Sequence, residues 1–173
     1  PHIAASTHEA QVNVAVDAAR QVADVLAGKL PRWPVNAPPL SSEALEMVRP
    51  YLDLVSSLGI LGRSVMSGPP RRIELSVADG LRGEHLQYLT GRLLVTILSR
   101  FVDSTLNYIN APAAARERGI EVAQTRSDSP PGYSNWLQVT VQTSQEPTTI
   151  SGALFEGADS RIVNINGYRL ELA

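Results

Sequence analysis

Three groups of side chains in this 173-residue sequence are of types that do chemistry. The first opens the chain, where Pro1-His2-Ile3-Ala4-Ala5-Ser6-Thr7 sets one imidazole before a run of small residues. An imidazole exchanges a proton near neutral pH because its unperturbed pKa lies near ~6.5, so His2 is the candidate general acid or base. The second group is Arg161 and Arg169, on either side of Asn166-Gly167. Planar guanidinium donors engage two phosphate oxygens at once, so these two are candidates for binding an anion. Arg71 and Arg72, beside Pro69-Pro70, are a weaker pair of the same kind. The plain alternatives stand beside each. A lone terminal histidine is most often solvated, and arginines on an exposed face are most often ordinary surface. His2, His8 and His85 lack metal-ligand spacing, so no metal site is expected.

The elements that must position these groups can be read in order. Ser6 and Glu9 have capping-box spacing, which predicts a helix from there to Ala27 with Gly28 as its stop. Its polar residues Glu9, Asn13, Asp17, Arg20 and Asp24 recur at helical spacing, while Val12, Val16, Ala19, Val22, Ala23 and Leu26 cover the rest. Pro31, Pro34, Pro38 and Pro39 then exclude helix and mark a linker. Ser41 or Ser42 caps a short helical turn, and Pro50 suits the first turn of a longer helix with a stripe at Tyr51, Leu54, Val55, Leu58, Leu61 and Val65. Gly59 and Gly62 within it allow close backbone approach. Ile73, Leu75 and Val77 alternate with Glu74 and Ser76 as a strand, and a second long helix spans roughly 84–102. A brief helix at Pro112–Arg118 is closed by Gly119. Beyond it the pattern is strand-like: 120–125, then Leu137, Val139 and Val141 inward, then 149–155, then a last pair joined by Asn166-Gly167, a strong hairpin signal. The two-residue turn pairs Ile165 with Tyr168. That register places Arg169 on the face of Asn164 and Arg161 on the other, so a pocket using both needs a bulge or the sheet edge.

Early helices and late strands imply an α+β fold: a largely antiparallel sheet with helices packed on one face, preceded by an isolated N-terminal helix. The organisation expected is residues 1–30 as the edge of a neighbouring region, 31–40 as a Pro-rich linker and 41–173 as the α+β domain. Hydrophobic residues make up 43% and aromatics only 5%, so Val, Leu, Ile and Ala must build the core. A formal charge of −2 and a pI near 5.9 favour neither a nucleic-acid backbone nor an acidic membrane surface. No apolar run approaches the ~20 residues of a membrane helix. The absence of cysteine suits a reducing, cytoplasmic setting. No GxGxxG follows a strand, and GxxxxGK[ST], GxSxG and HExxH are missing, so a dinucleotide has no expected site in the chain and no turnover is expected from it alone.

Several ordered segments carry a resemblance. Pro1-His2, small residues and Ser6-Thr7, followed by His8-Glu9-Ala10-Gln11, resemble the end of the catalytic region in D-2-hydroxyacid dehydrogenases. The long-form D-3-phosphoglycerate dehydrogenases are the most similar members. Val35-Asn36-Ala37-Pro38, Tyr51-Leu52-Asp53-Leu54, Asn107-Tyr108-Ile109-Asn110-Ala111-Pro112, Glu117-Arg118-Gly119-Ile120, Thr149-Ile150-Ser151-Gly152-Ala153-Leu154-Phe155 and Arg161–Tyr168 continue the likeness in order. The resemblance implies a fragment of an NAD-dependent enzyme that oxidises 3-phosphoglycerate on the way to serine. It makes His2 the acid/base and His2, Ile3, Ala4 and Ala5 cofactor contacts, although Ala4 stands where glycine is common. It further implies a homo-oligomer, and an allosteric domain binding an anion such as phosphate or 3-phosphoglycerate near Arg161 and Arg169. The rival reading is a stand-alone anion-binding or dimerisation module without catalysis. The bland readings persist beside this: Asn107 and Asn110 as turn caps, and Gly152 as a packing glycine.

Overall fold

Alternating side chains decide the sheet, and the computed structural model shows where each strand goes. It describes residues 6–27, 42–78, 80–81, 83–102, 105–156 and 159–172. The chain divides into two compact units, Pro1–Leu40 and Ser41–Ala173.

The first unit contains helix α1, His8–Leu26. Thr7 rather than Ser6 is its N-cap, with Thr7 Oγ1 accepting from the Ala10 amide at 3.1 Å. Either hydroxyl has cap chemistry, and the extended backbone at Thr7 selects it. The helix has no buried residue.

The second unit holds helices α2 (Ser42–Val65), α3 (Gly83–Leu98) and α4 (Ala111–Glu117). Its strands are β1 (Arg72–Val77), β2 (Glu121–Arg126), β3 (Asn135–Gln142), β4 (Thr148–Leu154), β5 (Ser160–Ile165) and β6 (Tyr168–Leu172). The six form one sheet in the order β2-β1-β3-β4-β5-β6. Every neighbouring pair is antiparallel except β1 and β2, which run parallel with α3 and α4 in the crossover between them. The sheet is thus largely antiparallel, as the pattern predicts. The strand at 121–126 is not hairpin-linked to β3, however. Parallel neighbours need a long helical connection, and α3 with α4 supply it.

Pro50 lies inside α2 rather than in a first turn. A proline removes one backbone donor from a helix but leaves the turns before it able to form if packing holds them. Val48, two residues earlier and fully buried, ties those turns to the core. The predicted stripe is buried at Leu54, Val55 and Leu58, whereas Val65 at the helix end is exposed. Leu89, Leu93 and Ile97 of α3 join them over Ile73 and Leu75 of β1, Leu137 of β3 and Ile150 of β4. Gly59 lets the two helices approach: a Cβ there would sit 3.0 Å from Thr96 Cβ and Cγ2. Arginines tie the two helices together, with Arg63 Nη1 donating to Ser99 Oγ at 2.7 Å and Arg92 Nε to Ser56 Oγ at 2.8 Å.

Candidate functional site

The last hairpin is built on Asn166 and Gly167, both with positive φ (49° and 88°), which is the turn geometry that Asn-Gly favours. It pairs Ile165 with Tyr168 and Asn164 with Arg169. Beyond that the register shifts. On β4, Ser151 faces Asn164 but the adjacent Gly152 faces Ile162, leaving Val163 as an extra residue in β5. A bulge of this kind re-aims the residues beyond it. Ala153 faces Arg161 and Ser151 faces Asn164, and Ser151 and Ala153 share one side of β4. Arg161, Asn164 and Arg169 therefore lie on the same face of the sheet. The strict alternation expected from sequence, which put the two arginines on opposite faces, is overturned by the one residue inserted at Val163.

The surroundings of the two arginines differ. Arg161 Nε donates to Asp159 Oδ2 at 2.8 Å, and its Nη1 reaches Glu171 Oε2 at 3.3 Å. The guanidinium carbon stands 5.0 Å from the centre of the Phe155 ring, which Tyr133 meets edge-on at 6.1 Å. The hydrogen bond to Asp159, then its charge, hold the Arg161 pKa above its ordinary value. Arg161 is thus a fixed cation with a carboxylate on two sides. Arg169 is exposed, and no ion pair among the described residues involves it. Sequence reasoning missed Asp159, Glu171 and Phe155 as the setting of Arg161. Glu171 had one available signal, because it alternates with Arg169 on the strand opposite.

The weaker pair, Arg71 and Arg72, separates. Arg72 is taken up by Glu74 at 3.1 Å and by a short contact to Glu121, so its guanidinium braces β1 against β2. Thr125 Oγ1 extends that brace, donating to Glu74 at 3.1 Å and meeting Ser76 Oγ at 2.7 Å. His2, Ile3, Ala4 and Ala5 lie outside the described residues.

Residues 47–166 match the model of the D-3-phosphoglycerate dehydrogenase intervening domain. The chain belongs to that family. It is 36% identical over 177 residues to the D-3-phosphoglycerate dehydrogenase of Synechocystis sp., an alignment covering 99% of this chain and 31% of the relative. The Bacillus subtilis enzyme of the same name is 30% identical, with 99% and 33% covered, and that of Methanocaldococcus jannaschii is 31% identical, with 98% and 32% covered. The chain spans about a third of the length of the curated relatives it matches.

Within this intervening domain, the Asn107–Asn110 segment is a closed polar turn. Asn107 Oδ1 accepts from the amides of Ile109 (2.9 Å) and Asn110 (3.0 Å), and Asn110 Oδ1 accepts from the Asn107 amide at 2.7 Å. The turn rests on α3, since a Cβ on Gly91 would lie 2.8 Å from the Tyr108 carbonyl oxygen. Tyr108 stacks on Tyr88 at 5.2 Å, and burial raises its phenol pKa. Turn capping, not ligand contact, accounts for both asparagines. Asn107→Ala is expected to lower stability by about 1–2 kcal/mol, read as a fall in Tm, because two amides lose their acceptor.

Gly152 is likewise a packing residue. A Cβ there would come within 2.6 Å of Leu54 Cδ1 and 2.8 Å of the Arg161 carbonyl oxygen.

The described residues do not fit a dinucleotide. The strand-to-helix turn of this domain, β1 to α3, carries Gly80 and Gly83 at GxxG spacing without the third glycine. Its helix opens with Glu84, an anion where a pyrophosphate would sit.

Proposed function

We propose that the chain is part of an NAD-dependent D-3-phosphoglycerate dehydrogenase, a cytoplasmic enzyme oxidising 3-phosphoglycerate to 3-phosphohydroxypyruvate for L-serine biosynthesis. In that reading His2 is the proton-transferring imidazole, and Ile3, Ala4 and Ala5 lie along the coenzyme that the rest of the enzyme holds. Residues 41–173 contribute regulation: an anionic effector, phosphate or the phosphate of 3-phosphoglycerate, binds at the Arg161–Arg169 face. The names of the relatives support the parent reaction. The observation that carries the regulatory part is the shift at Val163, which sets both arginines on one face, with Arg169 in no ion pair among the described residues.

Arg161 has two carboxylate neighbours. An arriving phosphate first engages Arg169 and then competes with Glu171, whose 3.3 Å contact is longer than the 2.8 Å contact of Asp159. Calorimetric titration of the chain with inorganic phosphate, 3-phosphoglycerate and serine tests this. Heat is expected with the first two and not with serine. Arg169→Ala should weaken phosphate binding about tenfold to a hundredfold, the range for losing a charge-assisted hydrogen bond. Absence of heat with both phosphates would refute the regulatory reading. Mixing the chain with NAD and 3-phosphoglycerate is expected to yield no NADH absorbance, and turnover would overturn the fragment reading.

A further inference from the structure

Strand β6 is an open sheet edge: β5 pairs with one side of it and no described strand with the other. Its sequence is Tyr168-Arg169-Leu170-Glu171-Leu172. Tyr168 faces Ile165 and Leu172 faces Ile162, two residues packed against the core, so these two lie on the helix side of the sheet. Alternation puts Leu170 with them. Arg169, opposite Asn164, and Glu171, in contact with Arg161, lie on the other side. The helix-side residues project beyond the cover of the helices: Tyr168 is 78% exposed and Leu172 51%. Uncovered apolar edges of this kind are templates for another strand.

We propose that this edge pairs antiparallel with the β6 edge of a second copy of the chain, about a two-fold axis through Leu170 perpendicular to the sheet. Such an axis keeps each residue on its own face, so partners must differ by an even number of positions. Centred on Leu170, the register sets Leu170 against Leu170, Tyr168 against Leu172 and Arg169 against Glu171, each of the last two twice. All apolar residues then meet on one face and all opposite charges on the other. Arg169, which has no ion pair among the described residues, gains one, and each Glu171 is held between its own Arg161 and the Arg169 of the second copy. The two-residue turn directs the Tyr168 amide and carbonyl toward β5 and so turns those of Arg169 outward, while the β5–β6 ladder shifts register farther along, with Leu170 and Glu171 both opposite Val163. The opposite edge, β2, offers no such match. Its Glu121 is engaged by Arg72, its Arg126 Nη2 donates to the Leu81 carbonyl, and an even register sets Glu121 against Thr125.

Charge exchange and a cross-link test the pairing in phosphate-free buffer, because Arg169 also serves the proposed phosphate site; the cross-link at Leu170 leaves Arg169 unaltered, so its failure and the failure of phosphate binding are distinguishable. The unaltered chain is expected to show a reversible monomer–dimer equilibrium by sedimentation. Arg169→Glu places like charges opposite each other twice and should weaken the dimer about tenfold. Glu171→Arg should do the same, and the double variant Arg169→Glu/Glu171→Arg should restore the original dissociation constant. Because the chain has no cysteine, Leu170→Cys introduces a single thiol. At the axis it stands directly opposite its counterpart, and opposed antiparallel residues lie about 4.5–5.5 Å apart between Cα atoms, within disulfide reach, so mild oxidation should give a covalent dimer. Asp128→Cys, in the exposed loop before β3, should remain uncrosslinked under the same conditions. The proposal fails if the chain is monomeric at every soluble concentration. It also fails if a dimer ignores the charge exchange, or if Leu170→Cys cross-links no faster than Asp128→Cys.

Discussion

Leu54→Ala is expected to remove about 2–5 kcal/mol from the unfolding free energy, measured by urea denaturation with Trp136 fluorescence as the probe. Leu54 is 1% exposed and lies where α2 crosses β4, against the bare backbone of Gly152. Strand backbone below and helix above limit how far the site can collapse, which favours the upper part of that range. Trp136 is itself 6% exposed on β3, so its exposure to solvent on unfolding supplies the signal.

Filling the same place from the other side should also destabilise. Gly152→Ala is expected to cost about 1–3 kcal/mol through overpacking, even though a single methyl group is added. The double variant Leu54→Ala/Gly152→Ala separates two sources of strain. Shortening Leu54 removes the 2.6 Å clash with its Cδ1 but leaves the 2.8 Å approach to the Arg161 carbonyl oxygen, which belongs to the neighbouring strand. Partial rescue is therefore the expected outcome of the cycle. Full rescue would mean that β4 and β5 can separate freely at the bulge, and no rescue that Leu54 is not the principal neighbour.

The elements whose apolar residues recur at a clear period were legible without coordinates. Ile73, Leu75 and Val77, then Leu137, Val139 and Val141, alternate inward as read, and the Asn166-Gly167 turn has the expected geometry. Three features were not legible, each for a different reason. Pro50 looked like a helix start because local propensity has no view of Val48 buried beneath the preceding turn. The parallel pairing of β1 with β2 depends on which strand fills which edge, and alternation within β2 is silent on that. The register shift at Val163 escaped because its compositional mark, Gly152 on the facing strand, reads as a packing glycine rather than as the sign of a bulge. That last omission mattered most for the candidate site, since it alone determined whether Arg161 and Arg169 share a side. The segment at His2, proposed as catalytic, had the opposite character: it was carried by likeness of sequence and falls outside the described residues.

The parallel β1–β2 pair sets the order in which this domain can become stable. The hydroxyl of Ser76 in β1 meets that of Thr125 in β2 across 49 residues of chain, and the flanking strand on the other side, β3, is made later still. A nascent domain therefore carries its future central strand for a long interval with both rows of amides unfilled, while the α2 and α3 helices can form by local contacts alone. Assembly must await the arrival of β3, so amide protection in β1, β2 and β3 should appear together and late in a pulse-labelling experiment.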